Sequence, residues 1–99
     1  MVLARVVGTV VSTSKVPQLQ GIRFLLLERL DAATMKGTGD QVVAMDSVGA
    51  GPGEVVFYVS GSSSRLTPVT EGRPSDATIT AIVDEVELNG KAVYRKDAL

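Results

Sequence analysis

The sequence contains no cysteine, no histidine and no tryptophan. Without cysteine the chain can form no disulfide and offers neither a thiolate nucleophile nor a sulfur ligand for a metal. Without histidine it has no Ser-His-Asp triad, no imidazole base and no zinc site that depends on histidine. We therefore expect no catalytic residue, no bound metal and no cofactor, and we predict that the protein is not an enzyme.

Neither sign of charge dominates the sequence or collects into a run. Ten basic residues stand against eleven acidic ones, with a formal net charge of -1, so the composition indicates neither nucleic acid nor an anionic membrane as a partner. The two phenylalanines and two tyrosines are few for a surface on which bases stack. No segment approaches the roughly 20 apolar residues that span a bilayer. Because the N-terminal segment also lacks a signal-peptide pattern, we expect a cytoplasmic protein.

Apolar residues make up 44% of the 99 residues, and most of them are Val, Ile, Leu and Ala. This composition favours strands. A chain of this length is expected to form one domain, here 1–99. It leaves much of its apolar surface uncovered unless it associates with another chain.

Alternating apolar residues and turn signals predict strands at 2–13, 22–30, 41–45, 54–60, 78–88 and 92–95. The first has apolar side chains at both odd and even positions, which predicts burial on both faces for much of its length, and a bend is predicted at Gly8. Segment 22–30 also suits a short helix, but Ile22 and Phe24 favour a strand. Asn89-Gly90 is typical of a type I′ hairpin turn, and 31–40 is predicted to be an exposed connection. The strands indicate an all-β fold, a small five- to six-stranded barrel, with a tail at 96–99 that is frayed or forms one helical turn.

A loop with three glycines in five residues, 49–53, precedes the strand at 54–60. Glycine-rich loops can cradle phosphate, but neither the dinucleotide fingerprint nor the Walker spacing is present, and Pro52 removes one donor. The alternative is a tight turn or a place where another backbone comes very close. The spacing favours this second interpretation.

A second loop follows the same strand and combines Ser62, Ser63, Ser64 and Arg65. It could hold a carboxylate or a sulfate. Alternatively, the serines cap turns and Arg65 forms an ion pair within or between subunits, and we favour this alternative. The carboxylates of Asp46, Glu54, Asp76 and Asp84 are interpreted as acceptors of backbone N–H bonds or partners of arginines rather than as a catalytic or cation-binding group.

Four segments in the same order resemble the vertex proteins of bacterial microcompartments, the EutN/CcmL family. The segment DSVGAGPGE at 46–54 is similar to the family's D-x-[IV]-G-A-G-x-G-E, and VSGSSSR at 59–65 is similar to V-S-G-S-[SA]-[SA]-R. Segment 7–13 looks like the opening strand of the family, and 74–84 looks like its P-x-D…[IV]-[IV]-D segment. The resemblance covers almost the whole chain.

The resemblance implies a small OB-like β-barrel that assembles into a homo-pentamer. Such pentamers close the vertices of polyhedral shells whose facets are made by hexameric and pseudohexameric shell proteins. The implied location is the microcompartment shell in the cytoplasm. The resemblance implies that residues of the two loops, together with Asp76, lie at a subunit interface or near the pore. These residues are Asp46, Gly49, Ala50, Gly51, Gly53, Glu54, Ser60, Gly61, Ser62, Ser63, Arg65 and Asp76.

One alternative function remains open at this point. A small barrel with a Ser/Arg loop also suits an OB-like binding module for single-stranded nucleic acid or a small anion. If instead the smallness of Gly51 serves a crowded subunit junction, Gly51→Val should weaken an oligomer more than it unfolds the barrel.

Overall fold

The computed structural model describes residues 1–11, 21–61 and 77–97. All regular elements among these residues are strands. They are β1 (Val2–Val10), β2 (Phe24–Leu30), β3 (Gly37–Asp46), β4 (Val55–Ser60), β5 (Ala77–Ile82), β6 (Glu85–Leu88) and β7 (Lys91–Arg95).

The first five strands close into a barrel in the order β1-β2-β3-β5-β4. Neighbouring strands run antiparallel, apart from β3 and β5, which are parallel and pair at Met45 with Thr78 and at Asp46 with Ile79. Closure removes the free edges of the sheet, which would otherwise invite pairing with other chains. The prediction of an all-β fold built on a small barrel is confirmed.

The core of the barrel is formed by side chains that alternate along the strands. Leu25 and Leu27 on β2 are fully buried, and they pack with Val6, Val56 and Ile79 from the other strands. The ladder between β1 and β2 shifts register between Val6 and Gly8. Since a β-bulge bends its strand, this shift agrees with the predicted bend at Gly8.

Strands β6 and β7 form a two-stranded sheet of their own, which we call the arm (85–95). The turn between them has positive φ angles at Asn89 (53°) and Gly90 (81°), as a type I′ turn requires. The predicted hairpin is therefore confirmed. At the root of the arm, Val86 and Tyr94 pack against a second, smaller cluster formed by Leu30, Val55 and Val83.

The prediction of one strand over 78–88 is wrong, because the chain turns between β5 and β6. Val83 leaves the barrel ladder and is buried in the second cluster, while its N–H donates to the carbonyl of Val55 at 2.8 Å. The carbonyl of Asp84 accepts from the N–H of Lys96 at 2.8 Å. Apolar residues continue through this corner, so the alternation does not reveal it.

The predicted exposed connection at 31–40 is wrong in its second half, since 37–40 belongs to β3. The two glycines there have different reasons. Gly39 adopts a positive φ angle of 89°, while Gly37 lies against the carboxylate of Glu28, which accepts from the N–H of Gly39 at 3.1 Å. Glycine at 37 thus allows a close approach inside a strand, although two glycines in the sequence are typical of a loop.

The remaining differences are at strand ends. β1 ends at Val10 and β2 begins at Phe24, so the predicted strands at 2–13 and 22–30 are each too long. Lys96 and Asp97 form a turn, and the rest of the predicted tail lies outside the described residues.

Candidate functional site

The loop that follows β3, which we call the glycine loop (46–54), is built around the carboxylate of Asp46. Oδ1 of Asp46 accepts from the N–H groups of Val48 and Gly49 at 3.0 Å and of Ala50 at 3.3 Å. Oδ2 accepts from Nη1 of Arg23 at 3.2 Å, and the Asp46 side chain is only 3% exposed. The interpretation of Asp46 as an acceptor of backbone N–H bonds and a partner of an arginine is confirmed.

The glycines of this loop have reasons inside the subunit. Gly49 and Gly53 adopt positive φ angles of 78° and 79°, which side chains with a Cβ rarely tolerate. Gly51 does not, but a Cβ there would lie 3.1 Å from Oε1 of Glu54, which accepts from the N–H of Gly51. Ala50 is fully buried in the barrel core. Chain geometry within the subunit therefore accounts for glycine at 49 and 53 and for a small residue at 50.

Glu54 at the end of the loop connects it to the arm. Its Oε2 lies 3.0 Å from Nζ of Lys96, the residue after β7. The hydrogen bond from Lys96, followed by the one from the N–H of Gly51, lowers the pKa of the Glu54 carboxyl, and the bond to Glu54 raises the pKa of Lys96. The charges of the two side chains thus stabilise each other.

Arg5 on β1 makes a second connection between the glycine loop and the arm. Its Nη1 donates to the carbonyl of Gly53 at 2.8 Å, and its guanidinium carbon lies 5.8 Å from the centre of the Tyr94 ring, within the range of a cation–π interaction. The roles of Arg5, Tyr94 and Lys96 were not predicted from the sequence. One signal was available, because Arg5 is a lone charge inside an apolar strand.

The predicted site residues fall into separate groups. Asp46, Gly49, Ala50, Gly51, Gly53 and Glu54 lie together in the glycine loop. Ser60 and Gly61 lie at the other end of β4, which at about 3.4 Å per residue is roughly 17 Å away. Ser62, Ser63, Arg65 and Asp76 lie outside the described residues. Within the described residues, Ser60 and Gly61 are therefore not part of the patch formed by the glycine loop.

A row of apolar side chains crosses the outer face of β1, β2 and β3. Gly8, Leu26 and Val43 are in register across the three strands, and Val7 at the bulge is beside them. Val7 is 45% and Val43 46% exposed. The predicted burial of the first strand on both faces does not extend to Val7 and Thr9, which are exposed in the described part of the chain.

The described part of the chain holds no group of three or more acidic, histidine or cysteine side chains that could bind a metal ion. Among the same residues, no helix has the length and apolar character needed to cross a membrane.

These features define a class of protein: a small closed β-barrel that keeps apolar residues on its outer face and carries a separate arm, which is typical of a subunit in an assembly. The chain belongs to the EutN_CcmL family, described as ethanolamine utilisation protein EutN/carboxysome, whose model matches residues 1–84. The resemblance seen in the sequence is thus confirmed.

Relatives match almost the whole chain. It is 44% identical to the carboxysome shell vertex protein CcmL of Synechococcus elongatus, over 97% of this chain and 96% of that protein. It is 43% identical to the microcompartment shell vertex protein EutN of Salmonella typhimurium, with the same coverage. These names do not support the alternative of a nucleic-acid-binding module.

Solved structures have the same fold. CcmL of Gloeobacter violaceus superimposes with a TM-score of 0.93 at 39% identity, over 99% of this chain and all of that one. The pentameric microcompartment shell protein GrpN of Rhodospirillum rubrum superimposes with a TM-score of 0.80 at 42% identity, over 89% of this chain and 99% of that one.

Proposed function

We propose that this protein is a structural subunit that forms the pentameric vertex of a bacterial microcompartment shell. The observation that carries the proposal is its similarity, over 97% of its length, to proteins named shell vertex proteins. A structural relative that is named as pentameric, GrpN, supports the number of subunits.

The surface of the subunit fits a closed ring. A ring of identical subunits needs two different faces on each copy that fit each other. The row at Val7, Leu26 and Val43, in which Val7 and Val43 are exposed and Leu26 is half-buried, is apolar surface that a neighbour can cover. The glycine loop and the arm present different surfaces. Burial of such a row contributes about 25 cal/mol per Å².

We also propose that the two loops at the ends of β4 contact neighbouring subunits or lie near the five-fold axis. Val48, Pro52 and Gly53 are exposed in the glycine loop, so a second chain can approach it closely. Because Gly53 and Ser60 lie at opposite ends of β4, the two ends would contact different parts of the ring.

In the shell, the protein would act without catalysis, as one barrel domain over 1–99. Its partners would be the hexameric and pseudohexameric shell proteins that form the facets. The relatives are named shell vertex proteins, and this supports a role in assembly rather than in turnover of a substrate.

Native mass spectrometry of the purified chain tests the proposal. We expect five-chain particles at micromolar concentration, and closed polyhedral shells on co-expression with a hexameric shell protein. A chain that stays monomeric under these conditions would contradict the proposed function.

A matched pair of variants tests the contact at the glycine loop. Val48 is 37% exposed and Val11 is exposed outside the loop, so Val→Glu can be made at either position without disturbing the core. We expect Val48→Glu to destabilise the pentamer and Val11→Glu to leave it intact. Equal behaviour of the two variants would argue against a contact at the loop. Gly51→Val is a less direct test, because Glu54 already lies close to Gly51 within the subunit.

A further inference from the structure

An open groove of about 710 Å³ lies between the root of the arm and one end of the barrel. Its walls are mostly apolar and come from the start of β1, the end of β2, β4 and β6: Met1, Val2, Leu3, Leu30, Phe57 and Val86. Three charged residues also line it, namely Arg29, Asp31 and Asp40. The groove therefore combines an apolar surface with two carboxylates and one guanidinium, so that negative groups outnumber positive ones.

The tip of the arm has complementary chemistry. Leu88 and Lys91 form a cross-strand pair, so their side chains lie on the same face of the hairpin. Leu88 is 43% exposed and Lys91 is exposed too. This face thus presents one apolar side chain beside one positive charge. The neighbouring pair, Glu87 and Ala92, lies on the opposite face.

The arm cannot place its tip in its own groove. Val86 of β6 is itself part of the groove wall, and the strand continues past it to Leu88 and the turn, all of which are exposed. Among the described residues β6 and β7 pair only with each other. A two-stranded hairpin is marginally stable in isolation, so packing of its tip against another surface would stabilise it.

We propose that the tip of the arm of one copy occupies the groove of the next copy of this chain. Leu88 covers the apolar wall, and Lys91 lies near Asp31 and Asp40. Each copy contributes one tip and one groove, so the contact is heterologous and can close a ring. This inference rests on the proposed pentamer and names one of its contacts.

Charge reversal on the two faces of the tip tests the contact. We expect Lys91→Glu to raise the concentration at which the pentamer dissociates by about tenfold or more at low salt, because it places a third negative charge beside Asp31 and Asp40. Glu87→Lys reverses a charge on the opposite face and should change that concentration by less than about threefold. Combining Lys91→Glu with Asp31→Lys and Asp40→Lys should restore assembly. Sedimentation and native mass spectrometry measure all of these.

Cross-linking locates the contact directly, because the chain has no cysteine of its own. Ala33 lines the groove, so the double variant Leu88→Cys with Ala33→Cys should form disulfides between chains. Oxidation should then give a ladder of up to five linked chains on a non-reducing gel, whereas each single variant should not form chains longer than two.

The outcomes separate this inference from the proposed function. A wild-type chain that is monomeric contradicts both. A wild-type pentamer that Lys91→Glu and Glu87→Lys affect equally, or in which the cysteine pair forms no ladder, overturns the arm contact and leaves the vertex function intact. Circular dichroism of each variant confirms that the barrel is folded.

Discussion

The barrel and the arm are stabilised by different interactions. In the barrel, fully buried apolar side chains such as Leu25, Leu27 and Ile79 form one cluster, and the hydrogen-bond ladder closes on itself. Burial of apolar surface depends little on pH. The fold of the barrel should therefore persist under conditions that change the ionisation of surface groups.

The arm has no core of its own. Val86 and Tyr94 at its root share the small second cluster with the barrel. Beyond this root, the arm is joined to the glycine loop by the Lys96–Glu54 ion pair and by Arg5, which contacts Gly53 and Tyr94. We therefore expect apolar burial to determine the stability of the barrel, and charged groups to contribute, beside the apolar root, to holding the arm against the glycine loop.

The largest effect is expected in the barrel core. Leu25→Ala leaves a cavity in the closed barrel and should lower the free energy of unfolding by about 2–5 kcal/mol. Val43→Ala on the outer face is the control and should cost less than about 0.5 kcal/mol in the dissociated subunit. Urea unfolding at a concentration below pentamer dissociation measures both. Similar losses would mean that the inner cluster does not determine the stability of the barrel.

The next effect concerns the anchor of the glycine loop. Asp46→Ala removes the acceptor of three N–H groups and should cost about 1–3 kcal/mol, because the Asp46 carboxylate is buried. Asp31 offers a matched control, since its Oδ1 also accepts two N–H groups, of Ala33 at 2.8 Å and Thr34 at 3.1 Å. There the groups are exposed and water can replace the acceptor, so Asp31→Ala should cost less. A larger loss at Asp31 would refute this account.

The arm should detach from the glycine loop in acid before the barrel unfolds. The hydrogen bonds from Lys96 and from the N–H of Gly51 lower the pKa of Glu54 below its ordinary value of 4.5. Because the folded-state pKa is depressed, the stabilisation is present above pH 4.5 and is lost as the pH falls through the folded-state value. NMR chemical shifts of the backbone amides of the arm, recorded as a function of pH, measure this loss of stabilisation.

At alkaline pH the stabilisation by the Lys96–Glu54 pair depends on pH with the opposite sign. The bond to Glu54 raises the pKa of Lys96 above 10.5, with smaller contributions from Asp84 and Asp97. Its stabilisation is therefore present below pH 10.5 and is lost as the pH rises through the raised value. Glu54→Gln should remove the acid transition of the arm and leave the barrel amides unchanged. Loss of arm and barrel signals at one pH would contradict separate stabilisation.

The smallest effect is expected within the arm. Nε of Arg95 lies 2.8 Å from Oε1 of Glu85, but the two side chains are 64% and 42% exposed. Exposed pairs contribute about 0–1 kcal/mol, so Arg95→Gln should hardly change the shifts of the arm amides. Lys96→Met, which removes the partner of Glu54, should shift them clearly. A larger effect of Arg95→Gln would show that contacts within the hairpin, and not the Lys96–Glu54 connection to the glycine loop, determine the structure of the arm.

Part of the site followed from local sequence and part did not. Asp46 stands at a strand end before a glycine-rich segment, so its role as an acceptor of backbone N–H bonds was predictable. The contacts of Glu54 with Lys96 and of Arg5 with Tyr94 were not. They join residues far apart in the chain, and no local pattern relates them.

The sequence by itself determined the class of fold, the hairpin at Asn89-Gly90 and the family. Alternation and turn chemistry are local properties, and the family motifs extend along nearly the whole chain. Only the tertiary structure decided that the strand breaks after Ile82, that 37–40 extends β3, and that Val7 and Val43 face outward. Pairing of Gly37 with Leu30 extends β3, and burial of Val83 in the second cluster accompanies the turn after Ile82. Closure of the barrel determines which apolar residues become core and which remain as surface.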